Sequence, residues 1–387
     1  MVSKNNKTLR VFSAASFLND LGSDIIYPLW PLFVLSLPGA NAAVLGLIDG
    51  VGDALVSISQ AGAGFLSDKI HKRKVFVWAG YLLGGFSRVG YALAPAWQWM
   101  VPFRILDRGG KMRDTPRDVI MVDASVAGER GKNFGIMKTF DNLGAVCGVL
   151  IAMTFVGVLG IRQLFFLAAL PSMIGAFLVY KTIKDPAAAD KKIFKGFSIA
   201  KTSIHFKFLL LLSGFFALGA FSYSFLLLFA ARSGIATRFI PPLYLLFTLV
   251  ASLTSLQFGR LSDKLKSRKA VMLMSFLFWM AVCLTLILSQ SIAAIIFAFI
   301  VYGLHRGSLD TIQNVFVAEM APPEFKASSL GLFQLVIGVF ALPASLGAGI
   351  LWNSLGDLAP FKLSLGLTLI AAIILLFIKE QRKTLSA

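Results

Sequence analysis

Twelve stretches of mostly apolar residues run the length of this 387-residue chain, at about 9–36, 42–66, 75–94, 97–122, 134–158, 162–181, 207–232, 240–262, 270–288, 292–318, 328–352 and 362–380. Each approaches the roughly 20 residues that a helix needs to cross a bilayer. Residues in the hydrophobic set make up 57% of the chain and charged residues 14%, with a mean hydropathy of +0.78. Soluble domains carry about 45–50% apolar and ~25% charged residues. The alternation of a β-barrel strand is absent, so the chain is predicted to be an all-α integral membrane protein of twelve transmembrane helices. Three His and two Cys give no basis for a metal centre or a disulfide framework, and no cofactor is expected. Cys147 and Cys283 each sit inside an apolar run and read as buried free thiols.

The formal charge of +18 does not point to nucleic acid, because Lys and Arg fall mainly in the breaks between apolar segments. With the N-terminus cytoplasmic, the inner loops and tails hold 24 Lys or Arg, among them Lys69, Lys72, Arg73, Lys74, Lys264, Lys266, Arg268 and Lys269. The outer side holds only Arg162, Arg232, Arg238 and Lys362. The positive-inside rule therefore places both termini in the cytoplasm, and anionic lipid of the inner leaflet complements the basic loops. The first segment is long and lacks a small-residue cleavage site, so it is expected to act as an insertion anchor. The longest polar stretch, 182–206, divides the chain into an N-terminal six-helix lobe (1–181) and a C-terminal six-helix lobe (207–387).

The halves repeat one another. Gly64-Phe-Leu-Ser-Asp-Lys-Ile-His-Lys-Arg-Lys74 after the second segment matches Gly259-Arg-Leu-Ser-Asp-Lys-Leu-Lys-Ser-Arg-Lys269 after the eighth, at an offset of 195 residues. Asp123 has Glu319 at nearly the same offset, and Phe134-Gly135 has Leu330-Gly331. A six-helix unit duplicated in parallel is the layout of a two-lobed carrier with its site between the lobes. The Gly-x-Leu-x-Asp-Lys-x-x-x-Arg-Lys loop, its echo, the twelve segments and the central linker resemble the major facilitator superfamily over the whole chain; His71 stands where that family usually has a second Gly. The resemblance implies two pseudo-symmetric lobes rocking around a central cavity. It also implies a cytoplasmic latch built from Gly64, Asp68, Arg73, Asp123, Gly259, Asp263, Arg268 and Glu319, which holds one lobe against the other in the outward-open state.

Ionisable residues at bilayer depth cost about 2.5–3.5 kcal/mol each on insertion scales, so they mark water-lined paths. Segment one carries Asn19, Asp20 and Asp24, with Asp20 about 16 Å deep at ~1.5 Å per residue; segment two carries Asp49 and Asp53. Each pair is spaced to share one helix face, where a carboxylate can exchange a proton as its surroundings change. Segment four carries Arg104, Asp107, Arg108, Lys111, Asp114 and Asp118 at helical spacing, predicting a continuous charged stripe, with Arg113 and Arg117 snorkelling toward the cytoplasm. The resemblance implies a proton-transfer Arg in this segment, matched by Arg104 or Arg108. Segment five adds Lys138, Asp141 and Asn142 and then Gly144-Ala-Val-Cys-Gly148, which is similar to the family's antiporter signature and equally reads as a helix-packing face. Segment ten holds His305, Arg306 and Asp310, and the second half otherwise offers aromatics, including Phe216, Tyr223, Tyr244 and Phe247.

Proton coupling is thus expected at Asp20, Asp24, Asp49, Asp53 or Asp141, and the substrate cavity at Asn19, Arg104, Asp107, Arg108, Lys111, Lys138, Arg306 and Asp310. The competing reading is a salt-bridge network that only fixes helix packing. No Walker-type phosphate loop, His-Glu-x-x-His or Gly-x-Ser-x-Gly motif is present in the sequence, which leaves enzyme classes without residues. The expected function is a monomeric, proton-coupled secondary transporter in the inner membrane, exporting a small organic or drug-like solute. The alternatives are uptake of an organic anion, lipid or glycolipid flipping, and ligand sensing on a carrier scaffold.

Overall fold

A computed structural model describes residues 2–70, 72–125, 130–184, 203–321 and 326–380. Its helices form twelve spans. The first is Val2–Ile26, broken at Pro28 and resumed as Trp30–Ser36, because proline cannot donate the backbone bond that would continue the helix. The second and third are Ala42–Ile70 and Arg73–Leu93. The fourth is split into Met100–Gly109 and Asp114–Ala124 by a tighter turn over Gly110–Arg113. Spans five and six are continuous in Arg130–Thr182 and part at Gly160, whose φ of 76° is open to glycine but strained for other residues.

In the second half the seventh span is Ile204–Gly219 followed by Ser224–Arg232, and the remaining five are Ile240–Leu265, Arg268–Leu288, Ile292–Met320, Lys326–Leu355 and Ala359–Phe377. Several starts are dictated locally: the hydroxyls of Ser203, Ser267 and Ser291 accept from the amides of Phe206, Ala270 and Ala294, satisfying donors that a helix start leaves open. Eight described segments are long and apolar enough to cross a membrane, and the 51-residue one over Lys132–Thr182 holds two spans. The first, third and fourth spans fall short of that measure because they carry the intramembrane charges and several glycines.

The lobes meet closely at the end opposite the chain termini. Gly46 and Gly50 of the second span lie on the backbone of Ser345 and Leu342, and Gly349 of the eleventh lies on Ala42 and Ala43. Small residues let two backbones approach where lipid supplies no hydrophobic drive. Within the first lobe, Gly144 and Gly148 do the same against Phe17, Leu21 and Asp24, so the segment-five glycines form the seat of the fifth span on the first.

The charged stripe of the fourth span differs from the sequence expectation. The turn at Gly110–Arg113 winds more tightly than an α-helix, and Arg104, Arg108, Lys111 and Asp114 line the central cavity while Asp107 and Asp118 do not. Arg113 and Arg117 do not snorkel. Arg113 is 3% exposed beneath the Tyr81 ring, 4.8 Å from its centroid, and Arg117 donates to Ser16 Oγ at 3.1 Å.

Candidate functional site

A cavity of about 720 Å³ lies between the lobes, walled by spans one, two, four and five on one side and seven, eight, ten and eleven on the other. Its lining reaches Gln60, Asp114, Lys138, Gln313 and Gln334 toward the end carrying the termini, where the Lys138 side chain is 71% exposed. With the opposite end packed shut, access is from the terminal end.

Most of the cavity's ions are matched. Arg104 Nη2 meets Asp49 Oδ1 at 2.9 Å and Arg104 Nη1 meets Asp107 Oδ2 at 3.8 Å, while Arg108 Nε lies 3.7 Å from the same Asp107 oxygen. Trp30 donates its indole N–H to Asp49 Oδ1 at 2.7 Å, and the Arg104 guanidinium lies 4.3 Å from the Trp30 ring centroid. Arg113 and Arg117 hold Asp114 at 3.7 and 3.6 Å, and Arg117 also holds Asp118 at 3.0 Å. Lys138 reaches Asp141 at 4.0 Å, and Arg306 pairs with Asp310 at 2.9 Å. Each of these groups is charge-neutral, as desolvated ions must nearly be.

Four cavity groups are left without an ion pair among the described residues: Asp20, Asp24, Asp53 and Lys111. Asp20 accepts from the Asn19 side-chain amide at 2.9 Å and Asp24 from the Tyr244 hydroxyl at 2.9 Å, whereas no hydrogen bond to the Asp53 carboxylate is found among the described residues. Three acids against one base leave the cavity with an excess of carboxyl groups. Facing them across the gap stand Phe216, Phe221, Tyr223, Tyr244, Phe247 and Tyr302 of the second lobe.

Two expected cavity residues, Asn19 and Asp107, and one expected proton-coupling carboxylate, Asp49, lie outside the cavity lining. Asn19, 2% exposed, lies behind the wall and accepts from Arg88. Asp49, with no exposure, is committed to Arg104, Trp30 and Ser222, whose hydroxyl donates to Asp49 Oδ2 at 2.7 Å from the other lobe. Asp107 is shared between two arginines and is likewise not in the lining. The remaining expected residues, Asp20, Asp24, Asp53, Asp141, Arg104, Arg108, Lys111, Lys138, Arg306 and Asp310, are brought together around the cavity. His305 is not in that lining; it is 3% exposed and held by Ser275, with Phe216, Trp279 and Tyr302 around its ring.

The latch residues close within their own lobes here. Arg73 bonds Asp123 at 3.1 Å, and Arg268 bonds Asp263 at 2.6 Å and Glu319 at 3.2 Å. Gly64 and Gly259 sit beside Thr115 and Thr311, and the side chain of Asp68 lies outside the described residues.

Sequence reasoning missed Trp30, Tyr27 and Ser222, and it placed Arg88 at membrane depth without its partners. Tyr27 supports Arg108, which donates to its hydroxyl at 3.3 Å. Arg88, 2% exposed, binds Asn19, Ser23, Ala168 and Ser172 and so ties spans one, three and six together. The Tyr27-Pro28-Leu29-Trp30 and Phe221-Ser222-Tyr223-Ser224 breaks were the available signals, since a polar or aromatic interruption inside a span marks backbone lining a cavity.

Comparison with known proteins agrees with this architecture. A family model described as Major Facilitator Superfamily matches residues 12–245 and 234–386. An uncharacterised MFS-type transporter of Methanocaldococcus jannaschii is 31% identical over 382 residues, covering 96% of this chain and 95% of that protein. Among solved structures, the nucleoside transporter NupG superposes with a TM-score of 0.77 at 14% identity, over 97% of this chain and all (100%) of that one. A POT family transporter in complex with 5-aminolevulinic acid gives 0.75 at 15% identity, over 96% and 95%.

Proposed function

The chain belongs to the major facilitator superfamily of membrane transporters, and from that premise we propose that it is a proton-coupled carrier exporting a small amphiphilic organic solute by alternating access. The observation that carries this reading is the set of three cavity carboxylates, Asp20, Asp24 and Asp53, that form no ion pair among the described residues. A proton and a positively charged or polar solute compete for such groups, and mutually exclusive occupancy of one site that opens to either side in turn produces exchange. Proton entry then drives solute exit.

The positive-inside count assigns the terminal end, and therefore the cavity mouth, to the cytoplasm of a plasma membrane. The solute is taken up from that side, with the protein acting as a monomer in the lipid. Uptake of an organic anion has less support, because Arg104 and Arg108 are already matched by Asp49 and Asp107, leaving Lys111 alone.

Proteoliposomes with an imposed pH gradient and a pH-sensitive dye test the reading. A panel of organic cations, neutral solutes and anions is added, and a member of the panel is expected to dissipate the gradient. Asp53→Asn is expected to abolish that signal while the protein inserts and folds normally, since no partner of Asp53 is lost. Proton movement retained in both Asp53→Asn and Asp20→Asn would overturn the coupling assignment.

A further inference from the structure

The three unmatched carboxylates differ in what faces them. Asp24 looks across to the second lobe, where the Tyr244 hydroxyl reaches it at 2.9 Å. Tyr244 belongs to a run of rings, with Tyr223 at 5.5 Å, Phe247 at 5.0 Å and Tyr302 a further 5.0 Å beyond Phe247, all lining the cavity. The Tyr223 hydroxyl is buried and makes no hydrogen bond among the described residues, so a donor waits there for an acceptor. In the facing wall the protein already seats a cation on an aromatic ring: the Arg108 guanidinium lies 5.0 Å from the Tyr27 centroid.

A carboxylate beside a cluster of aromatic rings is an arrangement that recognises ammonium groups, since the ring quadrupole and the carboxylate attract the same positive charge. We propose that the transported solute is an organic cation whose ammonium group is held by Asp24 with the rings of Tyr223, Tyr244 and Phe247, in exchange for the Tyr244–Asp24 hydrogen bond. The identification rests on the carrier reading above and names the chemistry of its ligand. The bond that is exchanged crosses between the lobes, as does Ser222–Asp49 at 2.7 Å. Seating the cation therefore removes one of these two interlobe ties and leaves the other, so the same event that fills the site loosens the lobes. A neutral solute of the same shape has no charge with which to displace Tyr244. An ether or carbonyl oxygen on the solute would meet the Tyr223 hydroxyl.

Equilibrium binding to the full chain in lipid nanodiscs tests this, with ethidium as the fluorescent probe and benzyltrimethylammonium as competitor. Saturable, competed binding is expected in the parent protein, with Asp24→Asn at least tenfold weaker. Phe247→Leu and Tyr223→Leu are each expected to weaken it severalfold. Tyr244→Phe keeps the ring and frees the carboxylate, so binding is expected to be as tight or tighter, and this variant separates recognition from folding.

Unchanged affinity in Asp24→Asn, an equal loss in Tyr244→Phe, or no saturable binding of either cation overturns the proposal. Cation binding without proton movement in the vesicle assay supports this site and overturns the coupling. Proton movement evoked only by neutral or anionic solutes, with no cation bound, overturns this site and leaves the coupling standing.

Discussion

The two lobes share one backbone plan and fill it with different chemistry. Gly64 beside Thr115 recurs 195–196 residues later as Gly259 beside Thr311. Thr115 Oγ1 donates to the Gln60 carbonyl at 3.2 Å, and Thr311 Oγ1 to the Ser255 carbonyl at 3.4 Å. Arg73–Asp123 likewise recurs as Arg268–Glu319. Away from this shared end the lobes part. Where Gly80 lies on Gly110 in the first lobe, Ser275 holds His305 in the second; where the first has Gly84 and Arg88, the second has Trp279 and Cys283.

The second lobe is held by rings. Phe216 stacks on Phe276 at 4.5 Å, Phe221 meets Trp279 at 5.7 Å and Phe361 at 5.3 Å, and the Trp279 indole donates to Ser364 Oγ at 2.7 Å. The first lobe has ion pairs at the matching depth. One plan thus accommodates either filling, with Arg104, Arg108 and Arg117 of the first lobe paired to carboxylates. Buried pairs add little net stability over apolar packing. The deeply buried pairs lie in the first lobe, whereas the Arg306–Asp310 pair of the second is nearly half exposed.

That contrast can be broken by substitution. The largest effect is expected at Arg104→Met, which leaves Asp49 buried without its cation and should cost about 3–5 kcal/mol. Thermal unfolding in lipid nanodiscs reads this, and adding Asp49→Asn should restore most of the loss. A single variant as stable as the parent would remove the ion pair from the account of the first lobe.

Gly80→Ala comes next. A Cβ there strikes the Gly110 carbonyl, and the overpacking should cost about 1–3 kcal/mol. The matched Ser275→Ala only deletes the hydroxyl's contacts with the His305 ring and carbonyl and should cost about 1 kcal/mol. Equal losses at the two sites would mean that the backbone contact is not a constraint particular to the first lobe. The smallest effect is expected at Arg306→Met. Its pair with Asp310 is nearly half exposed, at 43% and 47%, so about 0–1 kcal/mol should be lost in the same unfolding measurement. A loss as large as that of Arg104→Met would show that the second lobe also depends on ions.

Much of this was legible in the chain. The spans follow from local hydropathy, the pseudo-symmetry from the Gly64–Lys74 and Gly259–Lys269 repeat, and the cavity from charges that lipid would reject. The stripe of the fourth span was legible at Arg104, Arg108, Lys111 and Asp114, which line the cavity, but not in the exclusion of Asp107 and Asp118, which depends on how the span packs against its neighbours. Asp49 and Asp53 were indistinguishable for a related reason. They lie four residues apart on one helix, yet Asp49 is held by Arg104, 55 residues on, and by Ser222, 173 residues on.

By itself, then, the order of residues determined what each segment does with its own backbone: where it crosses, which end gathers cations, and where proline or glycine interrupts it. Those properties depend on neighbours within a few turns and on the solvent around them. Only the tertiary structure decided which carboxylates are spent on arginines and which are left without an ion pair among the described residues. Pairs such as Arg306–Asp310 follow from helical spacing, but the 2.9 Å contact between Arg104 and Asp49 is set by the packing of distant helices, and no spacing along the chain encodes it.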